Sequence, residues 1–228
     1  MKRIKLHRIW LWGILLLMAA CGDDDYYYPP VKLEFVTVEA GEDGRIQTLI
    51  PDKGWALPVS QDRSGSTIAS HTSRRLMSNY ETVSEDGVSK AVIYSLQALI
   101  TPPPLLEDDP AYEGGLKYDP VEMVSIWMGR NYLNMILNLK VNTGKGHVFG
   151  IVEDVSQLEE EGIVHLTLYH NANADAEFYN RRAYISVPLE KYSGEKRPER
   201  KIKIKFTYHA YDQLEPKSYE LEYIPDTN

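Results

Sequence analysis

One stretch decides the fold class, and it reads NYLNMILNLKV over residues 131–141. Every second position from Leu133 to Val141 is apolar, whereas Asn134 and Asn138 occupy positions between them. Because side chains alternate between the two faces of a strand, this pattern predicts a β-strand with one buried face. Helical periodicity is nearly absent from the chain. The sequence therefore predicts an all-β protein.

The same alternation recurs towards the C-terminus and predicts seven strands of antiparallel sheets. They are Met123–Met128, Tyr132–Val141, His147–Val155, Ile163–His170, Ala183–Leu189, Lys201–Tyr211 and Ser218–Ile224. Seven strands in about 105 residues match an immunoglobulin-like β-sandwich in size. We assign this predicted sandwich to residues 118–228.

The last two strands also predict their own pairing, in a hairpin that turns at Asp212-Gln213. Opposite charges would meet on one face and apolar side chains on the buried face. The predicted pairs are Lys203 with Glu222, Lys205 with Glu220, Ile204 with Leu221 and Phe206 with Tyr219.

Residues 31–104 contain five further strand candidates, separated by well-marked turns. They are Lys32–Ala40, Arg45–Ile50, Trp55–Val59, Arg74–Val83 and Lys90–Ile100. The turns at Gly41–Gly44 and Pro51–Gly54 are rich in Asp and Gly, which accept the positive φ of tight hairpins. Five short strands in about seventy residues predict a five-stranded OB-like barrel.

A change of composition separates the two predicted domains. Residues 105–117 combine the acidic run Glu107-Asp108-Asp109 with Pro110 and the pair Gly114-Gly115. Helix breakers, charge and flexible residues together are typical of a connecting segment. The sequence therefore predicts a linker here.

The N-terminus resembles a bacterial lipoprotein signal. Basic residues precede the apolar run Ile9–Met18, and two alanines stand directly before Cys21. About ten apolar residues span only roughly half of the hydrocarbon core of a bilayer, which argues against a transmembrane anchor. We therefore expect residues 1–20 to be a signal peptide and Cys21, the single cysteine of the chain, to be acylated.

An acidic triplet follows the cysteine directly, at Asp23, Asp24 and Asp25. It resembles the lipoprotein export signal of Bacteroidota, which implies the outer face of the outer membrane. Residues 21–30 also carry three tyrosines and two prolines, so a solvated tether is expected as well. The periplasmic face of the outer membrane is the alternative location.

Charge and cysteine content exclude several classes of protein. The chain has 33 acidic and 25 basic residues, and four of the basic residues lie in the predicted signal peptide. The remainder therefore has a net charge of about −12, which argues against nucleic acid as a partner. A single cysteine excludes an internal disulfide.

Histidines are the first candidates for a metal site or a general base. His165 and His170 are five residues apart on one predicted strand, so they face opposite ways. His170 continues an apolar series, and we expect a partly buried structural imidazole bonded to the next loop through Asn171 or Asp175. A zinc site from His147, His170 and Asp175 lacks recognisable ligand spacing. We therefore predict no catalytic residue, no metal and no cofactor.

Aromatic side chains are the remaining candidates for a binding surface. OB barrels bind oligosaccharides across one face, and rings provide stacking platforms. Trp55 and Tyr80 lie in the predicted barrel, and Tyr132 and Tyr169 lie opposite the main apolar series of their sandwich strands. The alternative is that these rings are half-buried structural residues, which strands favour.

Five stretches, taken in their order along the chain, resemble the NigD-like lipoproteins of Bacteroidota. They are the lipidation signal with its acidic tail, Pro51–Val59, Asn131–Asn134, His147–Phe149 and Leu168–Asp175. The resemblance implies an N-terminal OB domain and a C-terminal β-sandwich. The family takes its name from an association with a bacteriocin gene cluster, and the resemblance implies no established biochemical activity.

The sequence thus predicts a monomeric, lipid-anchored, non-enzymatic module that binds a glycan or a partner protein. A protective envelope role, such as bacteriocin immunity or peptidase inhibition, is the alternative. A metal-dependent hydrolase built around His170 is a third hypothesis.

Overall fold

The computed structural model describes residues 30–142, 146–193 and 201–225. The predicted signal peptide, the predicted acylation site Cys21, the acidic triplet Asp23–Asp25 and nearly all of the predicted tether lie outside these residues. Among the described residues, no helix is long and apolar enough to cross a membrane.

The first five strands form a closed barrel with the order β1-β2-β3-β5-β4. Alternate side chains point into it, and its core includes Val36, Leu49, Tyr80 and Ile93. The predicted five-stranded OB-like barrel is confirmed. The strands are β1 (Lys32–Ala40), β2 (Ile46–Pro51), β3 (Leu57–Asp62), β4 (Ser73–Glu85) and β5 (Val88–Ala98).

The remaining strands form two sheets, one of five strands in the order β13-β12-β10-β9-β6 and one of three in the order β11-β8-β7. A single core contains Met135 and Ile185 of the smaller sheet and Leu166 and Phe206 of the larger, so the sheets pack as a sandwich. The strands are β6 (Pro104–Leu106), β7 (Glu122–Gly129), β8 (Tyr132–Val141), β9 (Val148–Asp154), β10 (Ile163–Asn171), β11 (Tyr179–Pro188), β12 (Ile202–Tyr208) and β13 (Lys217–Tyr223).

Helical structure is confined to short turns in the described residues. They are two 3₁₀ turns, Pro110–Tyr112 and Glu190–Tyr192, and the single α-helical turn Leu158–Glu161. Each joins strands, and none contributes a helical layer to the fold.

The predicted register of the last hairpin is confirmed pair by pair. Ile204 and Phe206 are fully buried, but Tyr219, opposite Phe206, is 37% exposed. Strand β13 is the outer strand of its sheet, so the core covers it less completely than it covers β12.

The expectation of antiparallel sheets in the sandwich is only partly correct, because β10 pairs with β12 in parallel and β6 pairs with β9 in parallel. In the barrel, β3 and β5 also pair in parallel. Alternation along one strand identifies its buried face, but it contains no information about the direction of a distant neighbour.

The segment 105–117 differs from the predicted linker because it packs on the sandwich. β6 pairs with β9, and the amine of Lys191 donates to the carbonyl of Pro104 at 3.0 Å. Tyr112 is buried, its hydroxyl donates to the carbonyl of Ile151 at 3.0 Å, and its ring packs on Tyr169. The glycines and prolines of this segment therefore form turns that lie on the surface of the sandwich.

Candidate functional site

The four aromatic residues predicted to form a binding surface do not share one surface. The Trp55 side chain is 89% exposed at the turn between β2 and β3. Tyr80 and Tyr169 are buried, which agrees with the alternative that these rings are structural residues. The Tyr80 hydroxyl donates to Glu34 at 2.7 Å, and burial is the main cause that raises the pKa of Tyr80. Tyr169 is covered by the segment that carries Tyr112.

Tyr132, the fourth ring, lies at the junction between the barrel and the sandwich. The guanidinium carbon of Arg75 lies 4.4 Å from the centre of the half-buried Tyr132 ring. Arg75 belongs to the barrel strand β4, and Tyr132 begins the sandwich strand β8. The contact is therefore a cation–π interaction between the two halves of the protein.

Arg75 is the centre of a buried polar cluster at this junction. Its guanidinium donates to Asp52 at 2.6 Å, to Asn134 at 3.1 Å and to Ser186 at 3.0 Å. Burial lowers the pKa of Arg75, and the Asp52 carboxylate opposes this shift. Asn134 and Ser186 are on the outer face of the three-stranded sheet, where polar residues normally meet water, but the barrel buries both completely.

A second arginine holds the turn between β2 and β3. Arg130, at the β7–β8 turn, donates to the carbonyls of Pro51 at 2.9 Å and Gly54 at 2.8 Å. Its backbone has φ of 48°, a left-handed conformation that is uncommon outside glycine. The turn that carries Trp55 is thus fixed from the sandwich side.

An aromatic cleft opens beside this junction, with a volume of about 370 Å³. The Phe35 ring of β1 packs on Trp127 of β7 at 5.1 Å between centroids and on Tyr184 of β11 at 6.3 Å. Glu34 and Arg182 also line the cleft. The lining of this cleft is therefore aromatic and also includes side chains of both charges.

An arginine cleft of about 300 Å³ adjoins the first, because Arg182 and Tyr184 line both. Arg181, His147 and Gln97 also line it. The two clefts together extend along β11 between the barrel and the sandwich.

The predicted histidine arrangement is partly correct. His170 is 1% exposed, more buried than expected, and its partners are not Asn171 or Asp175. Its Nδ1 lies 2.8 Å from the carbonyl oxygen of Asp119, and its Nε2 lies 2.9 Å from Nδ1 of His147. Asn171 instead accepts from the backbone of Asn173 at 2.9 Å.

The bonds of this pair define its tautomers. A carbonyl only accepts, so His170 carries its proton on Nδ1, and its Nε2 accepts from the protonated Nδ1 of His147. Nε2 of His147 then faces the Asp175 carboxylate at 3.6 Å. Burial lowers the pKa of His170, and the Asp119 carbonyl opposes this shift.

This histidine pair lies between β10 and a neighbouring loop. It connects β10 to the loop that contains Asp175, which also accepts from the backbone of Asn142 at 3.0 Å. Within the described ranges, no group of three or more His, Cys, Asp or Glu side chains has the arrangement needed to hold a metal ion.

Comparison with known families now adds to this geometry. Residues 35–99 match the NigD-like N-terminal OB domain, and residues 104–223 match the NigD-like C-terminal beta sandwich domain. The chain belongs to the NigD-like family. The first matched range corresponds to the barrel, and the second corresponds to the sandwich including β6. A search of curated proteins found none that matches the chain.

Solved structures agree with the NigD-like assignment. The crystal structure of a NigD-like immunity protein from Bacteroides caccae is 62% identical, covers 88% of this chain and 100% of its own, and has a TM-score of 0.77. A protein of unknown function from Bacteroides vulgatus is 20% identical over 86% of this chain and 92% of its own, with a TM-score of 0.67. The second likeness shows the fold alone.

Sequence reasoning missed the junction of this NigD-like protein. Asn134 and Ser186 occupy outward positions of their strands, and alternation assigns such positions to solvent. The one available signal is Tyr132, an aromatic residue on the outward face of a strand, which indicates a covered surface.

Proposed function

We propose that this chain is a lipid-anchored immunity protein of the bacterial envelope, which protects the producing cell by binding a toxin and not by catalysis. The observation that carries this proposal is the 62% identity with the NigD-like immunity protein of Bacteroides caccae, which extends over all of that chain. Identity at this level over two domains makes a shared class of partner the simplest expectation.

The junction supports a binding role. Two adjoining clefts lie between rigidly joined β-domains, and such clefts are common binding sites. The buried histidine pair bonds to the backbone carbonyl of Asp119 and faces the Asp175 carboxylate at 3.6 Å, and a structural role for this pair fits a protein that acts by binding.

Membrane attachment is the part of the proposal that rests on Cys21 and on the acidic triplet. Durable anchoring needs at least two acyl chains, which a lipoprotein N-terminus supplies. Labelled palmitate should enter the wild-type chain and not Cys21→Ala. Removing the charges with Asp23→Asn, Asp24→Asn and Asp25→Asn should reduce digestion of the chain by protease added to intact cells. Unchanged digestion would contradict the surface location.

Protection is tested with a deletion strain and filtered culture supernatants from bacteriocin-producing strains as the probe. Deletion should increase sensitivity to at least one supernatant, and the wild-type gene should restore resistance. Cys21→Ala should restore it poorly, because the chain then lacks its acyl anchor. Equal sensitivity of the deletion and parent strains to every supernatant would overturn the proposal.

Glycan binding is a second candidate, favoured by the exposed Trp55 ring. A glycan array with the wild-type chain should then return hits that Trp55→Ala loses, whereas Tyr80→Phe, a change to a buried ring, should retain them. An array without hits would reject this second candidate and leave the first unaffected.

A further inference from the structure

Strand β11 has an open backbone edge along its first half. It is an outer strand of its sheet, and β8 pairs with it on one side from Tyr179 to Pro188. On its other side, the amide of Ile100 donates to the carbonyl of Tyr184 at 3.0 Å, and the amide of Ser186 donates to the carbonyl of Ile100 at 2.9 Å. In the part of the chain that the structure describes, no strand continues this pairing towards Tyr179.

Backbone groups along this edge are aligned for another strand. Successive residues of a strand direct their N–H and C=O groups to alternate sides. Because Tyr184 and Ser186 bond on the side of Ile100, Asn180 and Arg182 direct their backbone groups to the same side. Residues 179–182 are all exposed. An edge of this kind is a template for a segment of another chain.

The side chains of the edge select the charge of that segment. Arg181 and Arg182 line the arginine cleft beside the edge, and no ion pair or hydrogen bond connects either guanidinium to another described residue. As neighbours on a strand, they lie on opposite faces. At contact distance, two adjacent arginines repel a basic segment and attract an acidic one.

We propose that an extended acidic segment of the partner protein adds to the edge of β11 in line with Ile100. Two consecutive carboxylates of that segment contact Arg181 on one face and Arg182 on the other, while its backbone bonds to Asn180 and Arg182. This inference rests on the proposed binding function and identifies the surface that performs it.

The test uses a phage library of random twelve-residue peptides, panned on the mature chain in detergent. Enriched peptides should carry two adjacent acidic residues among β-branched ones. Their affinity should fall at least tenfold for the double variant Arg181→Glu with Arg182→Glu. Arg181→Gln with Arg182→Gln removes both charges, retains polar side chains and should weaken binding in the same direction. The matched control, Arg45→Glu with Arg74→Glu, changes the net charge equally at exposed barrel positions and should leave binding unchanged.

The backbone contribution is tested with Asn180→Pro, which removes one outward N–H and leaves the pairing with β8 intact. It should also lower the affinity of the enriched peptides, with the far-ultraviolet circular dichroism of the wild type retained. No enrichment of acidic pairs, or equal affinity for the wild type and both arginine variants, would overturn the inference.

The same variants separate this inference from the proposed function. If Arg181→Glu with Arg182→Glu loses the peptides and also fails to restore bacteriocin resistance, both stand. If the variant restores resistance fully, the edge of β11 is not the binding surface, and the immunity proposal stands without it.

Discussion

Arg75 connects the barrel to the sandwich through a charge that is removed from water. Its side chain is 3% exposed, and that of its partner Asp52 is 13% exposed. Burying two charges is costly, so a pair of this kind adds little net stability. Removal of one partner is strongly destabilising, because the other charge stays buried without compensation.

We therefore expect Arg75→Ala to lower the free energy of unfolding by about 3–5 kcal/mol. Arg74→Ala, at the exposed neighbouring position, should change it by less than about 0.5 kcal/mol. Urea denaturation of both variants measures the difference. Equal effects of the two substitutions would mean that the buried cluster contributes nothing specific.

His170 should make stability depend on pH. Its pKa lies below the ordinary value of 6.5 in the folded chain because of burial, so the unfolded chain takes up a proton first as the pH falls. Its contribution is complete above pH 6.5 and is lost as the pH falls towards the folded pKa. His170→Gln should reduce the loss of stability between about pH 7.5 and about pH 5. His165→Gln, on the exposed face of the same strand, should not. Urea midpoints across this range would decide, and parallel pH profiles of wild type and His170→Gln would contradict the expectation.

At the scale of elements, the segment from Pro104 to Leu116 has a buried aromatic anchor in addition to the pairing of β6 with β9. Tyr112 is 7% exposed, and its ring lies 5.0 Å from that of Tyr169. Gly150 leaves the space for it, because a Cβ there would lie 3.0 Å from the Tyr112 hydroxyl. The segment should therefore be protected from proteases while this ring is in place.

Tyr112→Ala should expose the segment to a glutamate-specific protease at Glu107 and Glu113, because loss of the buried ring lowers the free energy of local opening. Leu106→Ala, in the same segment but at a side chain that is 50% exposed, should leave the wild-type digestion pattern unchanged. Mass spectrometry of the fragments reports the sites. Rapid cleavage of the wild type at these glutamates would restore the linker interpretation.

The sequence predicted elements better than it predicted their partners. Strong alternation located β8 and the β12–β13 hairpin, where pairing is local and opposite charges define the register. It missed β6, a three-residue strand after a run of prolines whose partner β9 is distant in sequence. It also left both a binding and a structural role open for Tyr80, because a ring that fills a barrel and a ring that binds a ligand occupy strand positions of the same kind.

At the scale of the whole molecule, contacts of different kinds among the described residues join the barrel to the sandwich. They are the Arg75 cluster, the two bonds that Arg130 donates to the β2–β3 turn, and the packing of Phe35 on Trp127 and Tyr184. Ile100 adds a backbone bridge at the point where the chain passes from one domain to the other. Two domains joined in this way should unfold together, because unfolding of one domain leaves buried polar groups of the other without hydrogen-bond partners.

Calorimetry of the wild-type chain should therefore give one transition, with calorimetric and van't Hoff enthalpies that agree. The double variant Arg75→Ala with Arg130→Ala removes both arginine contacts and should separate the transition into two or broaden it. Arg45→Ala with Arg74→Ala removes the same number of charges at exposed positions and should retain a single transition. Two transitions in the wild type would mean that the junction holds the domains in place without coupling their stability. A binding surface along β11 requires only that the junction hold the two domains in position, so two transitions would not argue against it. If the wild type shows a single transition, a partner that binds at this surface should stabilise both domains.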